Sequence, residues 1–114
     1  MATFPKRVRL RKRQDFKRMA EGQRHVGQWI VLSLRQTEHP FPRLGITVTR
    51  QFGKSHLRNR FKRIVREAFR LSLSHITHGV DILIRPRSFA LGADMNQIKD
   101  ELNALLAKYD PNGF

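Results

Sequence analysis

Residues 55–74 limit what this chain can fold into more than any other stretch, because their pattern suits a helix with one apolar and one cationic side. At about 100° per residue, Arg58, Asn59, Lys62, Arg63, Arg66 and Arg70 fall within about 140° of one another. Leu57, Phe61, Ile64, Val65, Ala68, Phe69 and Leu71 fill an arc of about 160° on the opposite side. That apolar arc is expected to sit on a sheet, with Ser55 as the N-cap. Like charges at i,i+4, such as Arg58, Lys62, Arg66 and Arg70, destabilise a free helix by about 0.2–0.5 kcal/mol per pair. Only Glu67 interrupts the run. A short charge run is ordinarily a solvated face. This one is long, nearly free of acid, and backed by a second basic block at Lys6-Arg7-Val8-Arg9-Leu10-Arg11-Lys12-Arg13. The stripe therefore fits a phosphate backbone, which arginine grips with forked donors.

The whole composition leans the same way. Across 114 residues, 23 Lys and Arg oppose 9 Asp and Glu, a formal charge of +14. Self-repulsion of that size favours a polyanionic partner, with a membrane surface as the weaker alternative. The length suits one domain, 1–114, with a basic extended N-terminus over about residues 1–13. Apolar runs such as Trp29-Ile30-Val31-Leu32 are far shorter than the ~20 residues a spanning helix needs. The basic start, Met1-Ala2-Thr3-Phe4-Pro5-Lys6-Arg7, leads into more charge and lacks the apolar stretch of a secretion signal. The absence of cysteine rules out disulfides and thiolate metal sites and fits a reducing compartment, so a cytoplasmic location is expected.

The remaining elements follow from periodicity. Residues 14–20 read as a short helix with Phe16, Met19 and Ala20 on one face. Aromatic and β-branched residues predict a strand over 28–34, and the alternation of Leu44, Ile46 and Val48 predicts another over 43–49. These strands are expected to pair antiparallel. Gln51-Phe52-Gly53-Lys54 reads as a turn, and His75-Ile76-Thr77-His78-Gly79 as the end of the long helix. A strand over 80–85 stops at Pro86, and a final helix begins near Asp94 with Met95, Ile98, Leu102, Leu105 and Leu106 on one side. The fold class is α+β, a single-domain α-β-β-α-β-α sandwich.

No chemistry of the chain's own stands out. Asp15, Asp81, Asp94, Asp100 and Glu101 are scattered, without the grouping that a metal-dependent nuclease requires. His75 and His78 have i,i+3 spacing, but at a helix end, where imidazole suits the C-terminal dipole. His56 is placed to meet RNA or solvent. No catalytic residue is expected, and the metal ligands, if any, are unknown.

The run Gly53-Lys54-Ser55-His56-Leu57-Arg58-Asn59-Arg60-Phe61-Lys62-Arg63-Ile64-Val65-Arg66 resembles the RNR signature of the bacterial ribonuclease P protein family. Arg43-Leu44-Gly45-Ile46-Thr47-Val48-Thr49-Arg50 resembles the strand before it, Arg9-Leu10-Arg11-Lys12 with Asp15-Phe16 the N-terminal segment and first helix, and Asp81-Ile82-Leu83-Ile84-Arg85-Pro86 a later strand. The resemblance implies a ribosomal-protein-like sandwich with a left-handed β-α-β crossover. It further implies a protein subunit that assists a catalytic RNA in removing the 5′ leader from precursor tRNA, with the chemistry on the RNA and Mg2+ held mainly there.

Under that resemblance, Lys54, Arg58, Asn59, Arg60, Lys62, Arg63 and Arg66 meet the catalytic RNA, and the stripe extends the surface to Arg70. The cleft between the first helix and the sheet holds the single-stranded leader, with Phe16 at an aromatic position and Ser33 at a strand position that can line the cleft. Ala20 stands where the family often has a second aromatic, so Arg11, Lys12, Lys17 and Arg87 are expected to add leader contacts. The expected partners are the ribonuclease P catalytic RNA and precursor tRNA. A ribosomal or general structured-RNA-binding protein is the alternative, and a nuclease in its own right a third reading.

Overall fold

Alternation along three strands builds the sheet's buried face. Ile30, Leu32 and Leu34, Leu44, and Val80, Ile82 and Ile84 are all at most 3% exposed. In the computed structural model, which describes residues 9, 10, 12–38, 40–72 and 79–108, these side chains meet Phe61, Val65 and Phe69 from one helix and Ile98, Leu102 and Leu105 from another in one core. The elements are helix α1 (Arg13–Arg18), continued by a 3-10 turn Met19–Glu21, strands β1 (Gln23–Val26), β2 (Ile30–Gln36) and β3 (Arg43–Ile46), helix α2 (Ser55–Ser72), strand β4 (Val80–Pro86) and helix α3 (Met95–Ala107). The architecture is α+β, with three α-helices and a mixed four-stranded sheet.

Two sequence expectations need correction. The strands at 28–34 and 43–49 do not pair with each other as expected, because the sheet order is β1-β2-β4-β3. β4 lies between them, antiparallel to β2 with Leu34 opposite Ile82, and parallel to β3 with Leu44 opposite Ile82. Putting β4 in the centre buries its apolar residues between two neighbours, whereas a β2–β3 hairpin would leave it at an edge. The second correction is an added strand: β1 pairs antiparallel with β2 through the turn at Gly27-Gln28-Trp29. Its sequence, Gln23-Arg24-His25-Val26, lacks the apolar alternation of a core strand because it is held by backbone pairing at the sheet edge.

Helix α2 keeps its expected division with two changes. Lys54, not Ser55, occupies the capping position, since its carbonyl accepts the N–H groups of Leu57 and Arg58 at 3.0 Å each. The Ser55 hydroxyl instead accepts from Arg58 Nη2 at 3.0 Å. Leu71, assigned to the apolar arc, is 41% exposed, because the buried face has turned past it by the last helical turn. Phe61, Val65, Ala68 and Phe69 are buried as the wheel requires. Helix α3 starts with a capping box: Asp94 accepts from the Gln97 N–H at 2.8 Å, and the Gln97 side chain accepts from the Asp94 N–H at 2.9 Å. The expected helix end at 73–78 lies outside the described residues, as does most of the basic N-terminus.

Candidate nucleic-acid interface

Both large helices lie against the apolar sheet face, and α1 is the described helix on the other face, beside the Arg9-Leu10 segment. On that face Arg24, Ser33, Leu83 and Gly45 form one cross-strand row, and Val26, Val31 and Arg85 form the next. Phe16, Met19 and Ala20 of α1 and the turn that follows overhang the first row and enclose a groove of about 390 Å³ with Gly22, Arg24, Ser33, Leu83 and Arg85. Arg24 and Arg85 also line a second hollow of about 430 Å³, walled by Thr47, Thr49, Gln51 and Phe52. The two form one trough with a partly apolar floor, and no carboxylate lines either part among the described residues. Such a trough suits a single strand, whose bases need flat apolar contact and whose phosphates need cations.

A buried ionic group holds α1 over the sheet. Asp15 of α1 and Asp81 of β4 both turn to Arg43 of β3, at 3.6 and 2.8 Å from its Nη2. The guanidinium's proton affinity is raised, first by its hydrogen bonds to Asp81, against the cost of burial. Asp15 and Asp81 look scattered in the sequence, but the fold brings them together on one arginine. Among the described residues, no three His, Asp or Glu side chains are grouped so as to hold a metal ion.

The α2 stripe faces solvent on the other side of Phe16. Lys54, Asn59, Arg60, Arg63 and Arg66 are exposed, and Arg58 and Lys62 half-buried. Lys54, Arg60, Lys62, Arg63 and Arg66 have no carboxylate partner among the described residues. Arg70 differs: its Nε donates to Glu67 at 3.2 Å and its Nη2 also contacts the carboxylate. That pairing lowers the Glu67 pKa and raises that of Arg70, so the last cation of the stripe is partly neutralised. Stripe and trough meet at a small pocket of about 130 Å³ lined by Phe16, Gly45, Ile46, Lys62, Arg66 and the Arg9-Leu10 segment.

The other residues expected at the leader are more dispersed. Phe16 and Ser33 line the groove together with Ala20. Lys12 and Lys17 are exposed on and beside α1 but do not line it. Arg87 is turned to the β1–β2 connection, where its Nη1 donates to the Gly27 carbonyl at 2.7 Å. Arg11 lies outside the described residues. The sequence reading missed Arg24, Arg85 and Phe52. For Arg85 the signal was present, since alternation with Ile82 and Ile84 already put it with Leu83 on the opposite face.

A small mixed sheet with one helix-roofed open face, flanked by a solvent-facing cationic helix, defines the class as an α+β protein with a surface suited to nucleic acid. A family model described as Ribonuclease P matches residues 4–110. The Ribonuclease P protein component of Desulforapulum autotrophicum is 36% identical over 107 residues, covering 93% of this chain and 92% of that one. The solved RNase P protein of Thermotoga maritima superposes with a TM-score of 0.81 at 36% identity, over 90% of this chain and 97% of that chain. That of Staphylococcus aureus gives 0.79 at 32%, over 88% and 93%. The chain belongs to the ribonuclease P protein component family.

Proposed function

We propose that the protein binds the catalytic RNA of ribonuclease P through the α2 stripe and the 5′ leader of precursor tRNA through the trough under α1, and so assists leader removal. One observation carries this reading: Phe16 lines both the groove on the open sheet face and the pocket that contains Lys62 and Arg66. A strand lying in the trough is thereby brought beside the surface that would hold the larger RNA. The two sites differ in the way their targets differ. The stripe is a line of cations for a folded backbone, whereas the trough combines an aromatic ring, an apolar floor and flanking arginines for unstacked bases.

In this reading the chemistry belongs to the RNA. Among the described residues no three His, Asp or Glu side chains are grouped, and the Asp15 and Asp81 side chains are engaged by Arg43. Mg2+ is held mainly by the RNA in this reading. The protein's contribution is charge: cations placed along a folded RNA release its condensed counterions and relieve phosphate repulsion. Less magnesium is then needed for the active fold.

The test is cleavage of a precursor tRNA by the cognate catalytic RNA at low magnesium, with and without the protein. Restored cleavage on addition supports the reading. If the protein binds structured RNAs without preference and leaves cleavage unchanged, the general RNA-binding alternative takes its place. Cleavage by the protein in the absence of RNA would assign the chemistry to the chain itself.

A further inference from the structure

The ring of Phe16 rests on a strand position that has no side chain. A Cβ added at Gly45 would lie 3.0 Å from Phe16 Cε1, 3.0 Å from Leu10 Cδ1 and 3.1 Å from Leu10 Cβ. Gly45 has no positive φ, so glycine serves here for space and not for backbone conformation. Leu10 is fixed on the far side: it is 5% exposed, and its N–H donates to the Leu44 carbonyl at 2.8 Å. Asp15, the residue before Phe16, is tied to Arg43.

We propose that Gly45 is a positioning residue for single-strand recognition: its missing side chain sets the depth at which Phe16 sits in the groove. The inference rests on the trough being the leader site. Carbon atoms attract best at about 3.5–4.0 Å, so a methyl at Gly45 crowds both Phe16 and Leu10, and each must give by a few tenths of an ångström. Leu10 is bonded to the strand backbone and buried. Phe16 is half-buried on a six-residue helix and lines the groove, so its ring has room to give more than the buried Leu10. Displaced toward the groove, the ring narrows the gap over Ser33 and Leu83 that a base must enter. Lys62 and Arg66 are not among the nearest atoms to the added carbon, so the α2 stripe keeps its place.

The experiment uses the reconstituted holoenzyme and compares a precursor tRNA carrying a short single-stranded leader with mature tRNA. Gly45→Ala is expected to lower the precursor preference about five-fold, the lower end of what one stacked base supplies. The loss should appear in KM with kcat preserved, and affinity for the catalytic RNA should not change. In a Phe16→Ala background Gly45→Ala should have no further effect on the preference, a non-additivity that general loosening of the fold would not produce. Leu10→Ala removes the Cδ1 contact but leaves the one with Phe16 Cε1, so Leu10→Ala alone should keep the preference and Leu10→Ala with Gly45→Ala should still lower it, which keeps the test decisive if Gly45→Ala alone fails to fold. Full preference in Gly45→Ala, additivity with Phe16→Ala, or a parallel loss of catalytic-RNA affinity overturns the proposal. If the native holoenzyme has no precursor preference, the leader reading fails and this one with it. If Phe16→Ala lowers the preference and a folded Gly45→Ala does not, only the role of Gly45 is lost.

Discussion

Arg43 and Asp81 stand opposite each other in the parallel β3–β4 ladder and are joined by two side-chain hydrogen bonds, Nε to Oδ1 and Nη2 to Oδ2, each 2.8 Å. Asp81 is 1% exposed, so removing its partner strands a charge in the protein interior. Arg43→Met should cost about 3–5 kcal/mol in urea unfolding, whereas Arg43→Met with Asp81→Leu should recover much of that loss, because a buried ion pair often does no better than apolar groups of the same volume. A single-variant cost below about 1 kcal/mol would show that Asp81 finds other solvation.

The same guanidinium sets a pH expectation. Its folded pKa is raised, chiefly by the bonds to Asp81. A raised value contributes stability that is complete below the unfolded-state pKa and is lost only as pH rises through the folded one. For arginine that window lies in strong alkali, so the stability gap between native protein and Arg43→Met should stay level from neutral to moderately alkaline pH. Unfolding midpoints measured across that range check it, and a gap that closes steadily with rising pH contradicts it.

Along α2 the individual arginines should not be equal. Arg66 has no carboxylate partner among the described residues, whereas Arg70 is held by Glu67. Arg58→Ala with Arg66→Ala should weaken catalytic-RNA binding and reduce the log–log salt slope by about 1 for each phosphate no longer neutralised. Arg70→Ala should change the slope less, since part of its charge is already answered. Binding titrations at several salt concentrations separate these cases, and an equal slope change for Arg66→Ala and Arg70→Ala would remove the distinction. The fold should survive both, because the stripe points away from Phe61, Val65 and Phe69.

What the sequence made legible follows from the range of the physics involved. The division of α2, the apolar alternation of β2, β3 and β4, and the start of α3 are local periodicities, each readable within a few residues. The strand order is not local, because Ile82 must choose between neighbours far away in the chain and only the assembled core decides. The arginine signature and the wheel located the stripe, but not the Glu67 pairing that discounts Arg70. For the groove, Phe16 and Ser33 were placed through family resemblance, while Arg24 and Phe52 were missed because one sits on a polar edge strand and the other in a turn. Phe52 in fact stacks tilted on Phe61, with ring centroids 5.4 Å apart, and also walls the trough.

Glu101 shows how far a fold-positioning role can sit from any motif. Placed on α3 and, in the sequence, one of several scattered acids, it accepts the Trp29 N–H at 2.7 Å and also the Gln28 N–H, so one carboxylate caps the turn between β1 and β2. Gly27 lies close against the same side chain, leaving no room there for a Cβ. Arg87 completes the clamp from the end of β4, through its side chain to the Gly27 carbonyl and its N–H to the Trp29 carbonyl at 2.8 Å. Without the carboxylate the two N–H groups lose a charged acceptor, so Glu101→Ala should cost about 1–3 kcal/mol. Glu101→Gln should cost less, because an amide oxygen can serve one donor but not both. The damage should be local: amide exchange at Gln28, Trp29 and along β1 should accelerate ahead of exchange in β4. Because Arg24 on β1 lines both parts of the trough, the same variant should weaken leader-dependent binding while affinity for the catalytic RNA stays unchanged. Uniform acceleration across the sheet would instead make Glu101 a general stabiliser and detach β1 from the site.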